Sequence, residues 1–308
     1  MRGPVLREQL EPKPMSVGYG PLLAGLCDDA ALFPPGNAPL SEAVPAHAEH
    51  GKSSHADLVG SFVFPEGRLG ELAEFLAQFP YPGELVLSLT VPRPSAVMSA
   101  LERAGALDAV TVAALEIVVP TECGVDELFS ALDEVSALHP DIALFVEVPR
   151  DARRTAILGR LAGSPYAAKF RTGGVVAEAY PDEAELAEAI TATVTAGIPF
   201  KATAGLHHAV RNTASGTGFE QHGFVNVLAA VATALDGGDT HAVSSVLAER
   251  DGAALAARLT GLPADRAAEV RARFLSYGTC SITEPLADLR VLGLVPSTDS
   301  PTSEGTPA

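Results

Sequence analysis

The sequence predicts an α/β protein closed into a (β/α)8 barrel of the TIM type, and three observations carry that reading. Eight apolar, β-rich runs alternate with segments of helical period between about residues 25 and 294. Successive strand centres, from Val63 through Leu87, Glu116, Glu147 and Lys169 to Lys201, recur at roughly the 30 residues that one βα unit occupies. Runs such as VTVAALEIVV and IALFVEV are almost continuously apolar, as parallel strands covered by helices on the outside must be. No GxGxxG follows a strand, which removes the main support for an open dinucleotide-binding sheet.

Taken in order, strands are expected at 25–33, 60–64, 84–91, 110–119, 142–148, 166–172, 199–204 and 277–283. Helices are expected between them at 68–79, 96–104, 125–138, 152–161, 182–194 and 224–235. The seventh and eighth strands lie much farther apart than any other pair. The Ala-rich stretches 241–259 and 264–274 read as a helical insertion, about 236–275, that could cap the barrel or join a second subunit. Residues 1–20 read as an arm, 21–295 as one barrel domain, and the Ser/Thr/Pro-rich residues 296–308 as a disordered tail.

The chain has 308 residues, 47% of them hydrophobic and 19% charged, enough to bury a large core. A formal charge of −17 opposes binding to a nucleic-acid backbone or an anionic membrane surface. There is no apolar run of membrane-spanning length and no signal-peptide core at the start, so a soluble, cytoplasmic protein is expected. Cys27, Cys123 and Cys280 form no CxxC pair, which fits a reducing compartment.

Lysine usage points to the chemistry. The chain has four lysines, Lys13, Lys52, Lys169 and Lys201, against seventeen arginines, so arginine serves wherever a surface cation suffices. Two of the four interrupt apolar strands, in YAAKFRTGG and PFKATAG. On adjacent strands about 4.8 Å apart, their ammonium groups are expected to crowd, lowering the pKa of one toward a nucleophilic amine. Glu116 and Glu147 interrupt the two preceding strands and are candidate proton shuttles for a lysine Schiff base. The competing view is a set of buried ion pairs that only neutralise one another, although desolvation makes such pairs costly to keep for stability alone.

These segments resemble the deoxyribose-phosphate aldolases and related Schiff-base aldolase barrels. In that family one strand carries a reactive lysine in a K-T-S-T-G-like segment, the next a second lysine in K-A-S-G-G, and the last G-T/A-S-S. The similar stretches here are Lys169 to Gly173, Lys201 to Gly205, and Gly278-Thr279-Cys280-Ser281. The resemblance implies a lyase in which Lys169 forms the Schiff base and Lys201 depresses its pKa. It covers about a third of the chain, and it departs from the family at Ala204, at Cys280 and in the long insertion.

Active sites of such barrels sit at the C-terminal ends of the strands. There Asp28 and Asp29, with Asp29 the preferred contact, His207, His208, Arg211 and Asn212 after strand seven, and His222 and Asn226 at the next helix are further candidates. The amides of Gly278, Cys280 and Ser281 could hold a phosphate or carboxylate. Arg171, with His207, His208 and Arg211, is expected to orient a small anionic carbonyl or phosphorylated substrate. The remaining histidines, His47, His50, His55, His139 and His241, read as surface. No cofactor is required on this reading. Two rivals stand beside it: a barrel in which Glu116, Glu147 and a histidine hold Mg2+, Mn2+ or Zn2+ with lysine as base, and a non-catalytic barrel that binds a small acid. A homodimer through the insertion is also expected.

Overall fold

The computed structural model describes residues 20–296. Eight strands close into a barrel: β1 (Cys27–Asp29), β2 (Val59–Pro65), β3 (Leu85–Val91), β4 (Val110–Val118), β5 (Ala143–Glu147), β6 (Ala167–Arg171), β7 (Phe200–Thr203) and, after a hairpin of β8 (Asn212–Thr213) and β9 (Glu220–Gln221), β10 (Phe274–Thr279). Every neighbouring pair in the barrel is parallel, and β10 closes it against β1. The (β/α)8 class expected from the strand count is therefore the class observed. The expected arm and tail lie outside the described residues, apart from Gly20 and Pro296.

A short α1 (Gly20–Leu23) precedes the barrel. Helices α2 (Leu40–His50), α3 (Leu69–Gln78), α4 (Val97–Gly105), α5 (Val125–Leu138), α6 (Arg154–Leu161), α7 (Glu183–Ala196) and α8 (Phe224–Leu235) follow β1 to β7 in turn, and α12 (Thr283–Val291) follows β10. Sequence reading missed α2, because Pro45 and two histidines lie within it and blur its apolar period. The predicted helix 241–259 is two helices, α9 (Thr240–Ala248) and α10 (Gly252–Thr260), separated where the Asp251 carboxylate accepts from the amides of Ala253 and Ala254 and starts a new helix. A further helix, α11 (Ala264–Arg273), leads directly into β10. The last strand thus begins three residues earlier than Tyr277, and the first is only three residues long.

The core has two parts set by strand parity. Leu115, Ile117, Val146, Phe170 and Ala202 belong to the large cluster between strands and helices. Ala114, Ala143, Phe145 and Ala167, with Leu275 against them, form a separate small cluster. Following one face of the middle strands in steps of two leads from those small side chains to Glu116, Glu147 and Lys169. The apolar layer therefore floors a polar one nearer the C-terminal ends.

Candidate active site

Six charged side chains of alternating sign form one chain through this polar layer. Arg171 Nη2 lies 2.9 Å from Glu147 Oε1, and Glu147 Oε2 lies 2.9 Å from Lys169 Nζ. Lys169 Nζ is 2.8 Å from Glu116 Oε2, whose other oxygen is 2.6 Å from Lys201 Nζ. Lys201 ends the series 2.7 Å from Asp28 Oδ2. Strand register makes this possible: Glu147 pairs with Lys169 and Lys169 with Lys201 across adjacent strands. Glu116, Lys169 and Lys201 are each at most 3% exposed.

Three serines complete the coordination. Ser88 Oγ donates to Glu116 Oε1 at 2.6 Å, Ser276 Oγ to Asp28 Oδ2 at 2.5 Å, and Ser61 donates to Asp28 Oδ1 through both its amide and its hydroxyl at 3.0 Å. Gly60 makes room for that carboxylate, since a β-carbon there would stand 2.2 Å from Asp28 Oδ1. Sequence reading passed over these serines. The available signal was a serine inside a strand-like run, as in LVLSLTV and FLSYGT.

The electrostatics depart from simple ammonium crowding, because Glu116 stands between the two lysines. Burial pushes the Glu116 carboxyl up, but Lys169 and Lys201 outweigh it and hold that group below the usual carboxylate range. Burial likewise disfavours the Lys201 ammonium, yet Asp28 and Glu116 more than compensate and raise its pKa above that of an ordinary lysine. The expected lowering therefore does not occur at Lys201, which is held charged. Glu147 is also lowered, with Lys169 and Arg171 overcoming its burial.

The two lysines are held differently. Lys201 makes aligned hydrogen bonds to Asp28 and Glu116. Lys169 reaches Glu116 and Glu147 at ion-pair distance, while Glu147 Oε2 is buried and receives no aligned hydrogen bond. Lys169, its own side chain 4% exposed, is linked outward through its partner on β5. Its neighbour Glu147 is bonded to Arg171, whose side chain is 45% exposed.

The other predicted residues separate into local groups. Asp28 joins the interior chain. Asp29, the aspartate preferred from sequence, is instead bonded to His47 Nδ1 at 3.0 Å and caps the amide of Ala31. His47 is buried against Phe62, which corrects its reading as a surface residue. The short β1 makes this outcome hard to foresee, since one step of parity exchanges the two aspartates. At the end of β10, Cys280 Sγ lies 3.5 Å from His207 Nδ1, and Glu284 is 3.9 Å from the same nitrogen. Burial raises the Cys280 thiol and lowers the His207 imidazole, so both are neutral at pH 7.

His208 pairs with Asp288 on the surface, and Arg211 pairs with Glu183 and Glu220. His222 is buried on the carbonyl of Pro181, and Asn226 ties α8 to the carbonyls of Val246 and Glu249. These residues brace the loops and helices after β7. Gly278 borders Thr203 and Ala30, and Ser281 Oγ accepts from the amide of Glu284 at the start of α12. Among the described residues no three His, Cys, Asp or Glu side chains converge as metal ligands; the two glutamates proposed for such a role are each engaged by two cationic side chains. No described helix is long and apolar enough to cross a membrane.

No protein-family model matches the chain, and no curated protein is significantly similar to it. The barrel is the architecture of many enzymes.

Proposed function

We propose that this barrel is a lyase of the aldolase type, acting on a small anionic carbonyl compound through a Schiff base on Lys169. The observation that carries the reading is the difference between the two interior lysines: Lys201 is anchored by aligned bonds from both sides, whereas Lys169 meets its two carboxylates at ion-pair distance, beside a Glu147 oxygen without an aligned donor. Two buried lysines are costly to keep for stability alone, even when paired with carboxylates.

In this reading Lys169 attacks the substrate carbonyl after passing a proton to a neighbouring carboxylate. Loss of water leaves an iminium ion, which draws electrons from the adjacent carbon–carbon bond as that bond breaks or, in reverse, forms. In this reading Glu147, 2.9 Å from Lys169, exchanges protons at this carbon, and Lys201 keeps Glu116 ionised so that it remains a fixed counter-charge. Arg171 offers its guanidinium to a carboxylate or phosphate.

The test is borohydride reduction with a panel of aldehydes, keto acids and sugar phosphates, read by intact mass and peptide mapping. An adduct on Lys169, absent from Lys169→Arg, is the expected result. An adduct on Lys201 exchanges the roles of the two lysines. No adduct, with a stoichiometric divalent metal in the purified protein, would refute the Schiff-base reading in favour of metal-dependent chemistry.

A further inference from the structure

Resting on that reading, we infer that the enzyme is activated by its substrate: an anionic group draws Arg171 away from Glu147, and the released Glu147 then takes the proton that keeps Lys169 from reacting. The geometry supplies each part. Arg171 spends Nε and Nη2 on a single oxygen, Glu147 Oε1, at 3.0 and 2.9 Å. It is the exposed member of the chain, so an incoming anion meets it first. The other oxygen, Oε2, already lies 2.9 Å from Lys169 Nζ. Moving a proton between them needs no rearrangement of the backbone.

Charge explains why Glu147 is the acceptor. Facing Lys169 are Glu116 on β4 and Glu147 on β5, with Arg171 on β6 itself; Lys201 on β7 and Asp28 on β1 complete the surroundings. Glu116 keeps Lys201 and the Ser88 hydroxyl whatever Arg171 does. Among the described residues the cations at Glu147 are Arg171 and Lys169, so losing the guanidinium removes half of its cationic support and raises its proton affinity. The steps balance. The Lys169 N–H bond breaks and a Glu147 O–H bond forms; the amine adds to the carbonyl carbon, with its second proton passing to the carbonyl oxygen; Glu147 returns its proton to the resulting hydroxyl, which leaves as water. An ammonium and a carbonyl become an iminium and water, and Glu147 ends as a carboxylate.

The experiment compares pyruvate with its neutral methyl ester in borohydride trapping, with labelling of Lys169 normalised to Lys52, which is 58% exposed. The ester is the more electrophilic ketone, so preference for pyruvate has to come from the protein. In the wild type, pyruvate should be favoured at Lys169 by about tenfold, the order expected for a charge-assisted pair. Arg171→Gln should bring the ratio to about one, and Arg171→Lys should recover part of it. Glu147→Gln should suppress labelling at pH 7 and regain it as the pH is raised, solvent hydroxide taking over the removal of the proton; a bracing role alone does not move a pH profile. Unchanged selectivity in Arg171→Gln, or an unchanged profile in Glu147→Gln, overturns the inference while leaving the Schiff base standing. A wild type unlabelled at Lys169 by either probe removes both.

Discussion

Replacing Lys201 by Met tests whether the interior charges act as one balanced set. The chain Arg171, Glu147, Lys169, Glu116, Lys201, Asp28 sums to zero, and Lys201, 1% exposed, holds two carboxylates at 2.7 and 2.6 Å. Met fills similar volume but leaves one negative charge uncompensated in a buried site. Breaking a buried pair in this way costs about 3–5 kcal/mol, a large share of the roughly 5–15 kcal/mol that holds a domain folded, and lowers Tm by on the order of 10 °C.

The pH dependence has a definite sign. Glu116 is held below its unfolded value, so its contribution is present above the unfolded carboxylate pKa and is lost as pH falls through the folded one. In Lys201→Met that carboxyl loses one of its two cations while its burial remains, so it binds a proton at higher pH than in the wild type. The deficit in urea unfolding should therefore be greatest near pH 7 and shrink toward about pH 5. Adding Asp28→Asn restores neutrality, so the double variant should be more stable than the sum of the singles by about 1–3 kcal/mol. A Lys201→Met protein as stable as the wild type, or one with a deficit that is flat in pH and additive with Asp28→Asn, would refute the argument.

Two further consequences follow from the packing. Gly60→Ala places a methyl group against the Asp28 carboxylate and should cost about 1–3 kcal/mol of overpacking, measurable by urea denaturation; a neutral effect would mean that Asp28 is free to move. The thiols of Cys27 and Cys123 are buried, with burial pushing that of Cys27 up to about 12, whereas Cys280 is partly exposed. Iodoacetamide at about pH 8 should therefore add a single group to the native protein, slowly because the Cys280 thiol is also raised. Cys280→Ser should abolish that labelling; a second rapidly labelled cysteine would contradict the packing of β1 or of the loop before α5.

The sequence by itself determined the barrel and the lysines and glutamates of its polar interior. Eight apolar runs at a regular spacing admit few architectures, and a lysine or glutamate inside such a run is conspicuous because the surrounding strand is apolar. Tertiary structure alone decided how these residues combine. Barrel closure brings Asp28 to Lys201 across 173 residues of chain, and no local pattern encodes that distance. The parity of a three-residue strand selects Asp28 over Asp29, and the stagger of neighbouring strands places Glu116 between two lysines expected to repel each other directly. Whether a buried lysine is crowded by a cation or clamped by a carboxylate depends on a few ångströms of register, and register is a property of the closed sheet.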